Sequence, residues 1–363
     1  MKLILIAGAR PNFMKIAPLI DAIQKQQAAG AAIQFELVHT GQHYDEKMSQ
    51  SFFDALQIPK PHANLGCGGG SQAEQTASIM VRFEEYLLQH PADLVIVVGD
   101  VTSTMACAIV AQKLHTKVAH VEGGIRSYDW TMPEEINRLV TDSISNYFFT
   151  TTPEASSNLL KQGIATEQIY FVGNTMIDTL LKHQHRFQQP EVFNQHHLQA
   201  GAYLVLTIHR PSNVDDPQQL QQLLSEIISH SRQLPLVFPV HPRTRKTLEQ
   251  IQLPESKLIL TEPMGYLEFN YLVQHAKAVI TDSGGITEET TVLRIPCMTL
   301  RNTTERPETC TLGTNELLGT DPKQIAPAMN KLFSGQWKQG TIPEKWDGKA
   351  AERIVEHLLT LNL

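Results

Sequence analysis

Residues 3–15 read LILIAGARPNFMK, an apolar run that stops at Gly8 and turns at once into polar residues and a proline. A run this short, closed by a turn signal, reads as a buried β-strand rather than a secretory signal, because Gly8, Arg10 and Pro11 interrupt it too early. Residues 17–27 then carry apolar side chains at helical spacing and lead to a second run at 35–39. Further runs at 94–98, 117–121 and 147–150 alternate with longer amphipathic stretches, which predicts a parallel sheet with crossover helices. The pattern restarts after residue 170, with strands expected at 203–207, 236–240, 258–260, 278–281 and 297–300. The expected fold is therefore α/β, with two Rossmann-like domains at 1–170 and 171–345 facing a central cleft. The polar stretch 183–199, rich in Gln and His and holding Pro190, reads as a boundary region. Open α/β sheets place ligands at the carboxyl ends of their strands, so residues there are the functional candidates.

The chain has 363 residues, enough for two domains, with 42% hydrophobic and 18% charged residues. That composition excludes disorder, coiled coil and collagen-like repeats. With 30 Lys and Arg against 37 Asp and Glu, the formal charge is −7. No global positive field exists to attract a nucleic acid, and any phosphate site must be local. Cys67, Cys107, Cys297 and Cys310 stand far apart with no C-x-x-C spacing, so they read as inert thiols, not a zinc site or a disulfide framework. No apolar stretch approaches the ~20 residues of a membrane span, so a cytoplasmic protein is expected.

The strand ends carry the chemistry. After the first strand, Arg10 and Lys15 flank a helix start, either as an anion site or as a solvated strand-end pair. After the second comes T-G-Q-H-Y-D, where His39 and His43 would need a helix to share a metal, and Gly41 interrupts it. The third strand ends at Asp100 and the fourth at Glu122 in E-G-G-I-R-S. Two carboxylates so placed suit divided acid and base work. The structural alternative is a helix cap by Asp100 and an ion pair from Glu122 to Arg126. M-P-E-E-I-N-R places Pro133, Glu134 and Glu135 in a first helical turn. In the second half, His209 with Arg210 and His241 with Arg243 stand at strand ends, suited to binding and protonating phosphate. Last, V-I-T-D-S-G-G-I-T-E-E runs a strand into Ser283, Gly284 and Gly285, then a helix with Glu288 and Glu289. Small residues at a helix N-terminus with a carboxylate one turn on follow the logic of nucleotide sites.

In this order, from G-A-R-P-N-F-M-K through V-V-G-D-V-T-S-T, H-V-E-G-G-I-R-S and I-H-R-P-S-N to T-D-S-G-G-I-T-E-E-T and T-T-E-R-P-E, the motifs resemble the non-hydrolysing UDP-N-acetylglucosamine 2-epimerase family. The resemblance runs almost end to end. It implies a fold of GT-B type, UDP held mainly by the second domain, and a final helix, within 346–363, that returns to the first. It implies a cytoplasmic homodimer acting on UDP-N-acetylglucosamine and UDP-N-acetylmannosamine, with no cofactor and no metal. Matched residue by residue, Asp100, Glu122, Glu134 and His209 fall on catalytic positions. Arg10, Lys15, Ser283, Gly284 and Gly285 fall on diphosphate and first-loop positions, Glu289 on the ribose and Phe269 against uracil. The choice of Glu134 over Glu135 is one of alignment.

Regulated members of that family bind a second UDP-N-acetylglucosamine with loops near the site. Here Gln42, His43, Glu135, Arg138, Arg210 and His241 are the additional or regulatory candidates, while the loop H-A-N-L-G-C-G-G-G-S has no Arg. Its absence speaks against activation by a second nucleotide sugar. Gly123 stands where alanine is common in the family. The rival readings are a hydrolysing epimerase, a glycosyltransferase of the same fold, an epimerase of a modified UDP-acetamido sugar, and a silent UDP-sugar-binding protein.

Overall fold

The computed structural model describes residues 1–41, 53, 55–255 and 257–361. It divides into two units, Met1–Lys182 with the segment from Glu344 onward, and His183–Pro343. The first is built on a seven-stranded sheet: β1 (Lys2–Ala7), β2 (Gln34–His39), β3 (Ala63–Asn64), β4 (Leu94–Val98), β5 (Lys117–Val121), β6 (Tyr147–Thr150) and β7 (Ile169–Phe171). Its order is β3-β2-β1-β4-β5-β6-β7, all parallel. The second unit holds β8 (Leu204–Thr207), β9 (Leu236–Pro239), β10 (Leu258–Thr261), β11 (Ala278–Thr281), β12 (Cys297–Thr299) and β13 (Asn315–Leu317). Its order is β10-β9-β8-β11-β12-β13, again parallel. This is the doubly wound α/β architecture expected, repeated in each unit as in GT-B proteins.

Continuous apolar strands follow from helices on both sheet faces. In the second unit the side-chain alternation is explicit. Leu204, Leu206, Phe238 and Ile280 join one buried cluster with the helices Pro217–His230 and Ile325–Phe333, while Tyr203, Val205, Val237 and Val279 join the other with Tyr266–His275. In each sheet the order reverses beside the strand where the winding starts, between β1 and β4 and between β8 and β11. The crevice outside such a switch point is where this architecture binds ligands.

Three details differ from the sequence reading. The first helix runs Arg10–Ala28, seven residues longer at its start than the stretch 17–27, because Pro11 sits in the first turn and Pro18 is accommodated inside. Pro18 has no N–H for the Met14 carbonyl, and the Thr179 hydroxyl donates to that carbonyl instead. Second, residues 171–182 lie in the first unit, not the second: β7 completes the first sheet, and Asp178 on the helix Thr175–His183 accepts the Ala350 and Ala351 N–H groups at 3.1 and 2.7 Å. Those bonds cap the final helix, Ala350–Thr360, which packs on the first helix with Lys25 and Glu352 paired at 2.7 Å. Third, the strands β3, β7 and β13 were not expected from sequence, each being only two or three residues long at or near a sheet edge.

Candidate functional site

In the first unit the β1 exit and the β4 end are bonded through Asn12. Its Oδ1 accepts the N–H groups of Gly8 and Ala9 at 3.1 and 3.0 Å, and its Nδ2 donates to the Val98 carbonyl at 2.8 Å. Arg10 opens the helix, with its side chain outside the described part. Lys15, one turn in and buried, pairs with Oε2 of Glu122 at 2.6 Å. Thus the Lys of the expected anion site meets one of the expected catalytic carboxylates.

The register Val98↔Val121 makes Asp100 and Glu122 neighbours just past two adjacent strands. Glu122 adopts φ 72°, a left-handed backbone that a non-glycine residue takes only at a cost of about 1–3 kcal/mol. Its N–H donates to the Phe149 carbonyl at 2.8 Å, which holds the residue there. Asp100 does not cap a helix. Its Oδ2 accepts from Nε and Nη2 of Arg138 at 3.0 and 2.6 Å. Nor does Glu122 pair with Arg126, which is bonded to the buried Asp142 at 2.6 Å. Both contacts of the structural alternative are therefore replaced.

The helix Pro133–Ile144 separates its two leading glutamates by burial. Glu135 is buried and accepts from the Ser127 N–H and hydroxyl, the Tyr128 N–H and Arg138 Nη1, at 2.6–3.0 Å. Burial works to raise its pKa, but the Ser127 backbone, Arg138 and the Tyr128 backbone outweigh it and hold the carboxyl below its ordinary value. Glu134 is half-buried and makes no hydrogen bond or ion pair among the described residues. Of the two, Glu134 has a carboxylate to offer a substrate.

At the other strand ends, His39 is buried against Phe13 with ring centroids 4.9 Å apart, and its Nδ1 accepts the Gly41 N–H at 2.6 Å. Burial lowers its pKa to about 4, so the ring is neutral. Gln42 and His43 lie outside the described residues. No group of three or more His, Cys, Asp or Glu among the described residues is arranged to hold a metal. Although the loop 61–71 lacks Arg, Arg82 from the helix Gln72–Gln89 donates to the Leu65 carbonyl at 2.5 Å.

In the second unit, Asp282 organises the switch point. The carboxylate accepts the N–H groups of His209 and Arg210 and the amide of Asn213 at 2.8–3.2 Å, and faces Nδ1 of His209 at 2.8 Å. Burial would raise its pKa, but His209, Asn213 and the Arg210 backbone together lower it. Arg210 Nε donates to the Asp282 carbonyl at 2.9 Å. His241 accepts the Arg243 N–H as the cap of the helix Pro242–Leu248, its ring 6.1 Å from that of His209, and Arg243 is held by Asp215 at 2.7 Å. Burial, then the neighbouring His209 and Arg243, lower the His241 pKa.

Ser283 caps the helix Gly284–Leu293 without a side-chain capping bond, so its hydroxyl is not committed to the helix end. Above Gly284 the expected phosphate space is held by a carboxylate: a Cβ on Gly284 would lie 2.4 Å from Oε1 of Glu305, itself paired with Arg301 at 2.6 Å. A diphosphate bound at this turn would have to exchange with that anion. Glu289 is buried with Asn270 Nδ2 at 3.4 Å from its Oε1, and burial raises its pKa to about 7. Phe269, like Met264 and Ile286, packs at the margin of the buried cluster that holds Tyr203, Val205, Val237 and Val279. Glu288 pairs with Arg306 at 2.7 Å.

Residues absent from the sequence reading are Asn12, Asp142, His120 and Asp282, all polar and buried. Asp282 stood in the quoted T-D-S-G-G segment, and its signal is the β8–β11 register that brings it beside His209.

The family model for UDP-N-acetylglucosamine 2-epimerase matches residues 25–359. The UDP-N-acetylglucosamine 2-epimerase of Methanocaldococcus jannaschii is 40% identical over 370 aligned positions, spanning 99% of each chain. Its crystal structure in complex with UDP-GlcNAc and UDP superposes with a TM-score of 0.88 at 39% identity, over 99% of both chains. The UDP-2,3-diacetamido-2,3-dideoxy-D-glucuronate 2-epimerase of Pseudomonas aeruginosa is 36% identical, covering 99% of this chain and all of that one.

Proposed function

Since the chain belongs to the UDP-N-acetylglucosamine 2-epimerase family, we propose that it interconverts UDP-N-acetylglucosamine and UDP-N-acetylmannosamine by anti elimination of UDP and re-addition. The observation that carries the reading is the pair Asp100 and Glu122, carboxylates at adjacent strand ends, each bonded to a cation of its own. The C2 proton of an N-acetylhexosamine is not α to a carbonyl and is too weakly acidic for direct removal. Elimination avoids the difficulty. One carboxylate takes the C2 proton, the C–H electron pair becomes the C1=C2 bond of 2-acetamidoglucal, and the C1–O electrons leave with UDP. Addition of a UDP oxygen to C1, with a proton delivered to the opposite face of C2, gives the other epimer. The sequence is redox-neutral and needs acid–base groups on both faces, cations or oriented dipoles on the leaving diphosphate, and shelter from water.

Within this reading Asp100, Glu122 and Glu134 serve proton transfer, and His209, oriented by Asp282, serves the departing phosphate. Ser283, Gly284 and Gly285 with Arg10 hold the diphosphate, Lys15 is the first-loop lysine that pairs with Glu122, and Glu289 meets the ribose and Phe269 the uracil. UDP-N-acetylmannosamine as product, a homodimer and a cytoplasmic location belong to the same proposal, supported by the family alone. Incubation with UDP-N-acetylglucosamine in deuterated water tests it. Deuterium at C2 in both UDP-linked epimers is expected; free N-acetylmannosamine with UDP would establish hydrolysis instead. The Pseudomonas aeruginosa relative favours a second reading, a diacetamido uronate as the preferred sugar, which the same assay with that substrate decides.

A further inference from the structure

His120, the fourth residue of β5, is fully buried and stands between the two turns that carry Asp100 and Glu122. Its Nε2 lies 2.8 Å from the carbonyl oxygen of Gly99, the residue before Asp100. Its Nδ1 lies 2.6 Å from Oδ1 of Asp142. The other oxygen of Asp142 accepts the N–H of Gly124, two residues after Glu122, at 3.0 Å, and forms an ion pair with Nη2 of Arg126 at 2.6 Å. Gly124 is fixed from its far side too: its carbonyl accepts from Asn158 at 3.0 Å, its φ is 82°, and a Cβ there would lie 2.2 Å from the Ala155 carbonyl. A single chain of contacts thus runs from the Asp100 turn, through His120 and Asp142, to the Glu122 turn.

We propose that His120 is a positioning residue, a buried bolt that fixes the spacing of Asp100 and Glu122 by donating from both ring nitrogens, to the Gly99 carbonyl and to Asp142. The assignment rests on the catalytic reading of the two carboxylates, which touch the sugar where His120 does not. The hydrogens follow from the partners. A backbone carbonyl can only accept, and Asp142, although burial raises its pKa, is held below its ordinary value by His120 and Arg126 and is a carboxylate that also only accepts. A neutral ring would leave one contact with two acceptors and no proton. Buried polar chains of this kind fix one geometry when every member is satisfied. Fixing geometry matters here because a misplacement of about 1 Å at the reacting groups costs on the order of 10²-fold in rate.

The test uses the full chain with His120→Gln and Asp142→Asn. Each variant is expected to lower kcat by ~10²-fold with the UDP dissociation constant and KM nearly unchanged, a split that general loss of structure would not give. In wild type labelled with ¹⁵N-histidine, the ring whose signals move in Asp142→Asn should have both nitrogens protonated at pH 7.5. Turnover within twofold of wild type in both variants overturns the proposal. So does a ring nitrogen without its proton in the wild type, a result that stands whether or not the chain proves to be an epimerase. Absence of any epimerisation by the wild type, with both nitrogens protonated, would remove the catalytic reading and leave the bolt in place.

Discussion

Nδ1 of His209 lies 2.8 Å from Oδ1 of Asp282, and the same carboxylate accepts the backbone N–H groups of residues 209 and 210. The acid therefore fixes both the ring and the turn that carries it, and occupies Nδ1 of His209 rather than Nε2. Asp282→Asn keeps an acceptor for the backbone but loses the charge, and kcat should fall by ~10²-fold or more, as expected when an oriented acid–base group is released. The pH dependence follows from the lowered Asp282 pKa. Its contribution to stability is present above the unfolded value and is lost as pH falls through the lower folded value. Thermal melts of wild type below pH 4 should drop more steeply than those of Asp282→Asn.

For the first unit, Asp100→Asn and Glu122→Gln should each reduce kcat by roughly 10²-fold or more while UDP binding persists, because both carboxylates are assigned to the sugar. Calorimetric titration with UDP alongside turnover measurement separates the two effects. Near-normal turnover in both variants would remove them from the mechanism.

Glu134 and Glu135 should part company. Glu135→Gln breaks a buried pair with Arg138 and weakens bonds to residues 127 and 128, so its melting temperature should fall by an amount equivalent to ~3 kcal/mol. Glu134→Gln removes a carboxylate with no hydrogen-bond or ion-pair partner among the described residues and should leave the melt unchanged while kcat falls. A large melting change in Glu134→Gln with full activity would reverse the assignment.

The sheets were legible because the long strands are mostly apolar, β4 without a break, and β4 to β6 begin and end where the sequence places them. What escaped is set by contacts between distant residues. Arg138 reaches Asp100 across 38 positions and His120 reaches Asp142 across 22, and no local pattern encodes either. Local reading instead offered Asp100 as a helix cap and paired Glu122 with Arg126, whereas the fold gives Glu122 to Lys15, 107 positions away. The Pro18 helix shows the same limit: the hydroxyl that makes an interior proline tolerable comes from Thr179.

The last prediction concerns Glu289. Among the described residues its buried carboxyl has no cation partner, is bonded weakly to Asn270, and has the Tyr266 hydroxyl close enough to favour the anion without a well-shaped hydrogen bond. Burial, reinforced by Glu288, lifts the pKa from 4.5 to about 7 against the pull of Tyr266 and Asn270. Between those values the folded protein holds a proton that the unfolded chain has lost, so stability falls as pH rises through 7, by at most roughly 3 kcal/mol. Ribose hydroxyls donate and therefore favour the anion, so binding should expel the proton and affinity should increase from pH 6 to pH 8. UDP-N-acetylglucosamine is the suitable probe, since its diphosphate is esterified at both ends and does not titrate there, and the Asp100→Asn protein, expected to turn over about 10²-fold more slowly, limits conversion during the titration. Calorimetry in buffers of different ionisation enthalpy should show proton release near pH 6.5. Glu289→Gln should abolish that release, weaken binding at pH 8 by ~1–3 kcal/mol and raise the melting temperature at the same pH. Affinity that stays flat from pH 6 to 8, with no proton released, would mean that Glu289 does not meet the ribose.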